Sequence, residues 1–291
     1  MPTCVSDDTR ILTEEVIEEL ADSTAICGLV EAMRGREDEV RRLLDEVDPA
    51  AIRRACRQAA LDLLPEPATC ASLANLDSPG FASAVCGLPR DVRSAPHRRA
   101  AREIARVYSL LCGGGLPVPG CADDFHRLWE AAMEGEPRWD AGYPTSEFRT
   151  NRAVIRKSVF SDEVLQVCAD PGDFERELDR LAAFLADSRL LSEVRAACAY
   201  ALLEWTHPFM DGNGHTGRML LLSVLQDRYS LPSMTFFSRA LCLGRGVTFG
   251  QFALLREGKG SLAGFCTATL AQLGEAQLDA MRALGALLER K

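Results

Sequence analysis

Residues 206–220, THPFMDGNGHTGRML, bring together two of the chain's four histidines, one acid, one asparagine, one arginine and three glycines. Four chemistries fit parts of this stretch. Gly212, Gly214 and Gly217 spell G-x-G-x-x-G, the dinucleotide pattern, but that pattern follows a strand inside a β-α-β unit. Here a helical pattern precedes it and no parallel-sheet pattern surrounds it. His207, Asp211 and His215 recur every four residues, as metal ligands on a helix would, but Pro208, Gly212 and Gly214 break such a helix. A plain turn between helices explains the glycines and not the charged and polar residues among them. A phosphate cradle uses every position. Amides in a glycine-rich loop, and at the start of a helix near Thr216, point outward and bind anions. Asp211 places an oxygen ligand beside that anion, as Mg2+ bridging phosphates requires. Arg218, one turn into the helix, offers a bidentate fork to a terminal phosphate. His207 stands at the other end of the loop, placed to act as a general base toward an incoming hydroxyl.

Helices must hold this loop from both sides. LLSEVRAACAYALLEW (190–205) places Leu191, Val194, Cys198, Ala201 and Trp205 on one stripe, and TGRMLLLSVLQDRYS (216–230) is apolar nearly all round, so central and buried. Upstream, YPTSEFRTNRAVIRKSVFS (143–161) alternates bulky apolar and polar residues at Phe148, Val154, Ile155, Val159 and Phe160, which predicts a short hairpin or extended flap. The rest is helical. The spacing predicts one helix over 14–35 ending at Gly35, a helix starting at Pro49 behind Asp48, one over 97–115 stopped by three glycines, and one within 121–135 capped near Asp123. Residues 65–96, rich in Pro, Ser, Gly and Ala, read as an irregular connector with short helical pieces. The fold class is all-α with one small β excursion.

HPFMDGNGHTGR resembles the signature of the Fic family, His-Pro-Phe-x-Asp/Glu-Gly-Asn-Gly-Arg-x-x-Arg, with His215 where that signature has its first arginine. The flanks resemble the same family, the 143–161 segment its target-docking flap and FHRLWEAAM the helix before that flap. The resemblance covers roughly residues 97–275. It implies a Fic-type helical bundle with a short β-hairpin flap. It places a Fic domain over 97–291, behind an N-terminal helical region at 1–96. It also implies transfer of AMP from ATP to a Ser, Thr or Tyr hydroxyl of a protein, with Mg2+. By that likeness His207 deprotonates the hydroxyl and Asp211 holds Mg2+. Asn213 and the amides around Gly212 and Gly214 orient the α-phosphate, and Arg218 contacts the β/γ region. His215, Thr216 and Gly217 complete the nucleotide-binding set, and Phe209 anchors the loop. The flap residues Phe148, Arg149, Thr150, Val154 and Ile155 would bind the target as an added strand. His215 leaves three outcomes open: a weaker grip on phosphate, a different nucleotide or diphosphate-linked donor, or a scaffold that binds nucleotide without turnover.

Many Fic proteins also carry an inhibitory helix, Ser/Thr-x-x-x-Glu-Gly/Asn, whose glutamate pairs with the second motif arginine. Here Ser23 to Gly28 fits that pattern with Cys27 at the glutamate position, inside a segment of about 13–35. Only Glu134 and Glu257 precede a Gly or Asn, and neither has Ser or Thr four residues earlier. The resemblance therefore implies that Arg218 stays available to ATP and that glutamate autoinhibition is absent.

The net charge of -9 argues against broad nucleic-acid binding, which needs a basic surface. No apolar run approaches the roughly 20 residues of a membrane span. The acidic start MPTCVSDDTRILTEEVIEEL carries no signal-peptide pattern, so a cytoplasmic protein is expected, with delivery into another cell left open. The eleven cysteines contain no Cys-x-x-Cys pair, and Cys56, Cys198, Cys242 and Cys266 fall where a helix buries a small apolar residue. They read as reduced core thiols. The expected partner is a protein substrate, possibly the chain itself.

Overall fold

The helical periodicity of the chain becomes twelve α-helices among the residues that the computed structural model describes, 13–64, 73, 75–87, 95–134, 148–156 and 163–289. They are α1 (Glu14–Asp22), α2 (Thr24–Glu46), α3 (Pro49–Leu61), α4 (Ser78–Cys86), α5 (Ala95–Gly113), α6 (Asp124–Met133), α7 (Phe174–Ala186), α8 (Ser192–Thr206), α9 (Asn213–Leu225), α10 (Leu231–Leu243), α11 (Arg245–Arg256) and α12 (Leu262–Leu288). Between α6 and α7 lie β1 (Val154–Arg156) and β2 (Val164–Val167), an antiparallel pair with Val154 opposite Val167. Helices and one hairpin are the all-α class with a small β excursion. Val159 and Phe160, and the flap positions 143–147, lie outside the described residues.

Local chemistry sets most boundaries. Asp48 caps α3 through the Ala51 amide at 2.9 Å, with Pro49 at the first helical position. Gly114 and Gly115, at φ 134° and 106°, end α5 where the glycine run predicts. The single helix expected over 14–35 is instead two. The Ser23 hydroxyl accepts from the Ile26 amide at 3.4 Å and starts a new helix, which runs through Gly28 and Gly35 to Glu46. Nothing crowds either glycine, so a continuing helix loses only their modest propensity cost. The Asp123 cap also differs. Its side chain makes no capping bond, and Asp124 instead accepts from the Gly120 and Cys121 amides at 2.8 and 3.2 Å.

Two cores hold the helices together. In the larger, Ile26, Val30 and Met33 pack with residues of α8, α9 and α12, among them Cys198, Leu220 and Phe265. In the smaller, Cys56 and Ala60 of α3 and Phe81 of α4 meet Ile104 and Tyr108 of α5, with Cys242 of α10. Helices on both sides of residue 96 thus contribute to both cores. Cys56, Cys198, Cys242 and Cys266 are all buried thiols, and burial pushes the Cys56 thiol up to about 12. No helix among the described residues is long and apolar enough to cross a membrane.

Candidate active site

The motif loop joins α8 to α9. It begins at His207, the one non-glycine residue with positive φ among those described (φ 51°, ψ 57°). That left-handed backbone is costly for a histidine, so the surroundings must hold it. The His207 amide donates to the Leu203 carbonyl at 2.9 Å, and the Arg149 Nε donates to the His207 carbonyl at 2.7 Å. Arg149 also donates to the carbonyls of Asn151 (2.5 Å) and Ala169 (2.6 Å), and lies over the Phe174 ring at 4.7 Å. The preceding residue, Phe148, forms a one-residue antiparallel bridge with Phe209, and the Arg149 amide donates to the Pro208 carbonyl at 2.8 Å.

Phe209 is fully buried, as an anchor should be, between Phe148 and Trp129. Trp129 of α6 donates its indole N–H to the Asp211 carbonyl at 2.8 Å. Gly212 then turns left-handed at φ 84°, and a Cβ there would lie 2.5 Å from the Met133 sulfur and 2.9 Å from the Trp129 nitrogen. Only glycine satisfies both demands. Its amide is taken by the Asp211 carboxylate at 2.7 Å, while the rest of the Asp211 side chain faces solvent. The amides of Asn213, Gly214 and His215 form the first turn of α9, where no helical acceptor exists for them.

Burial keeps the His207 imidazole unprotonated at neutral pH. It pushes the imidazole pKa down to about 4, helped by the Arg149 and Arg256 guanidiniums and opposed by the Glu204 carbonyl and Asp211. A neutral imidazole, an exposed carboxylate at Asp211 and a row of free helix amides therefore meet on one loop.

Several of the expected site residues also make contacts within the fold. Asn213 is buried, and both ends of its side chain are engaged. Its oxygen accepts from the Phe209 amide at 3.0 Å and its nitrogen donates to the Phe209 carbonyl at 2.7 Å. It braces the loop. The Thr216 hydroxyl is spent on the Gly212 carbonyl at 2.9 Å, and Gly217 is the close approach of α9 to Tyr200, whose ring would be 2.6 Å from a Cβ. Phe148 and Arg149 are pinned into the motif loop and offer no free strand edge. Thr150 and Val154 are exposed and Ile155 is partly exposed, so of the expected flap residues these remain open.

Arg218 is also engaged within the fold. Glu103 of α5, a residue that sequence reasoning missed, takes its guanidinium with both oxygens at 2.6 and 2.8 Å. The same carboxylate lies 2.7 Å from the His215 Nδ1. Arg218 and Glu103 are each 4% exposed in their side chains. Burial alone would raise the Glu103 pKa, but Arg218 and His215 hold it well below the carboxylate range. Arg218 is thus not left available, although the glutamate on it does not come from the Ser23–Gly28 segment. Ser23 is a helix cap, and Cys27 is exposed with its thiol against the Ala21 carbonyl at 3.7 Å. Gly28 is an exposed residue inside α2.

The family profile of the Fic/DOC family matches residues 123–225, from the start of α6 to the end of α9. A Fic family protein from Desulfovibrio desulfuricans G20 superposes with a TM-score of 0.61 at 17% identity, over 89% of this chain and 75% of that one. A Fic-domain-containing signaling protein from Bacteroides thetaiotaomicron VPI-5482 does so at 0.51 and 14%, over 90% and 98%. At these identities the likeness is one of fold. A search of curated proteins finds no match to the chain. The motif loop, the helical fold and the family profile agree, and residues 123–225 of the chain match the Fic/DOC family.

Proposed function

We propose, on the match of residues 123–225 to the Fic/DOC family and the likeness of fold, that the chain transfers a nucleotide-derived group to a protein. We propose that the group is AMP, that the donor is ATP, and that the acceptor is a Ser, Thr or Tyr hydroxyl. The observation that carries this reading is His207. A base kept neutral by burial stands at one end of a loop whose other end presents free helix amides. Such amides stabilise the charge that builds on a phosphoryl group as its bond to pyrophosphate breaks. His207 takes the proton of the attacking hydroxyl, whose oxygen bonds the α-phosphorus while pyrophosphate leaves. The residues present fit Mg2+. Asp211 offers a solvent-facing carboxylate beside the amides, and Mg2+ binds through one or two carboxylates, phosphate oxygens and water. When bound, the ion neutralises phosphate charge. Trp129 and Asn213 position the loop around it. Incubation with ATP labelled at the α-phosphate should label the protein or a target, and a mass spectrum should show an added nucleotide. Loss of both in His207→Ala is expected, and equal labelling of that variant would reject the reading.

The Glu103 clamp favours a second reading, a scaffold that binds nucleotide without turnover or takes another donor. Calorimetry showing nucleotide binding with no labelled product supports it.

A further inference from the structure

We propose that Arg256, at the end of α11, binds a phosphate group at the rim of the motif loop and supplies the positive charge that Arg218 has committed to Glu103. The inference rests on the phosphate-cradle reading above.

The motif's own arginine is committed. Arg218 meets both Glu103 oxygens, and His215 lies against one of them. Arg256 differs from both. Its Nε donates to the Gln166 side-chain oxygen at 2.7 Å, and Gln166 donates in turn to the Trp205 carbonyl at 2.6 Å. The guanidinium is therefore tied, through β2, to the end of α8 two residues before His207. It lies 5.2 Å from the Phe252 ring centre. All of these partners are neutral. Its Nη1 and Nη2 make no hydrogen bond or ion pair with any described residue, which leaves the fork open. Its charge acts on His207 and Glu204, so it faces the same end of α8.

Glu204 acts on Arg256 through space but makes no ion pair with it. That carboxylate is 7% exposed, and its Oε1 is buried without a partner, 3.3 Å from where a Gly214 Cβ would stand. Burial raises its pKa, against the pull of Arg218 and Arg256. A half-buried guanidinium with no carboxylate bonded to it is costly until an anion arrives. The amides at the start of α9 mark where a phosphate group would sit, and the planar fork suits that geometry.

The test is calorimetric titration of the full chain with ATP and Mg2+, and separately with inorganic phosphate, in wild type, Arg256→Gln and Arg256→Lys. Loss of one charge-assisted contact should weaken binding about tenfold in Arg256→Gln with the melting temperature unchanged, and less in Arg256→Lys. Weakening with ATP alone identifies a nucleotide phosphate as the ligand. Weakening with both identifies a general phosphate site. Wild-type affinity in Arg256→Gln overturns the proposal while leaving the cradle reading standing. Absence of binding by the wild-type chain removes the cradle reading and this inference together. Should Arg256→Gln unfold, wild-type affinity in a folded Arg256→Met overturns the proposal instead.

Discussion

At the residue scale, two buried groups have opposite fates. His207 is held neutral, so its loss of function should come late on acidification. A base works unprotonated, and an unperturbed histidine is half protonated near pH 6.5. With its pKa pushed down to about 4, the transfer rate should stay flat from pH 8 to about 5 and fall below that. Initial rates across that range decide the matter, and an inflection near 6.5 would show that burial does not set the base. Glu103 is held charged. Its folded pKa lies below the unfolded one, so its contribution to stability is present above the unfolded carboxylate pKa and lost as pH falls through the folded value. Glu103→Ala leaves Arg218 and His215 buried beside no anion, and should cost about 3–5 kcal/mol in urea unfolding. A cost below about 1 kcal/mol would mean that solvent reaches the pair.

At the element scale, the site is the turn between α8 and α9, and its shape comes from side chains gripping backbone. Asn213 holds both polar groups of Phe209. Asn213→Ala leaves those buried groups unpaired, and should cost about 1–3 kcal/mol and loosen the loop. Asn213→Asp keeps the acceptor and loses the donor, so it should fall between the two. If Asn213→Ala unfolds like wild type yet loses nucleotide affinity, the side chain serves the ligand instead of the loop. The sequence made this turn legible because helix, glycines, histidine and acid are all local. α8, α9 and the left-handed Gly212 follow from patterns a few residues long. The partners that fix their roles are not local. Glu103 lies 115 residues from Arg218, and Arg149 lies 58 from His207. Within HRRAAREIARVY nothing separates Glu103 from its charged neighbours, and only packing shows which of them turns inward. Arg149 belongs to a segment with strand alternation, so it reads as an edge residue until its four carbonyl contacts are seen.

At the scale of the whole molecule, the N-terminal helices belong to the far end of α8. Arg34 of α2 pairs with both oxygens of Glu193 at 2.9 Å, and the Tyr229 hydroxyl donates to the same carboxylate at 2.9 Å. Glu193 opens α8 and His207 follows its end. Fourteen residues at 1.5 Å each separate them by about 20 Å. Arg189, just before α8, pairs with Glu14 at the start of α1 at 2.7 Å, so Glu14 also faces that end. A glutamate at position 27 would stand in solvent in the first turn of α2, since Cys27 is exposed. The Arg218 fork is already filled by Glu103. Cys27→Glu should therefore restore no inhibition. Transfer rate and nucleotide affinity should stay within roughly twofold of wild type, the range of a surface substitution of about 0.5 kcal/mol. A large loss of nucleotide binding in Cys27→Glu, with stability unchanged, would mean that α2 reaches the motif loop in solution. The Ser23–Gly28 likeness would then be functional and not an accident of a capped helix start.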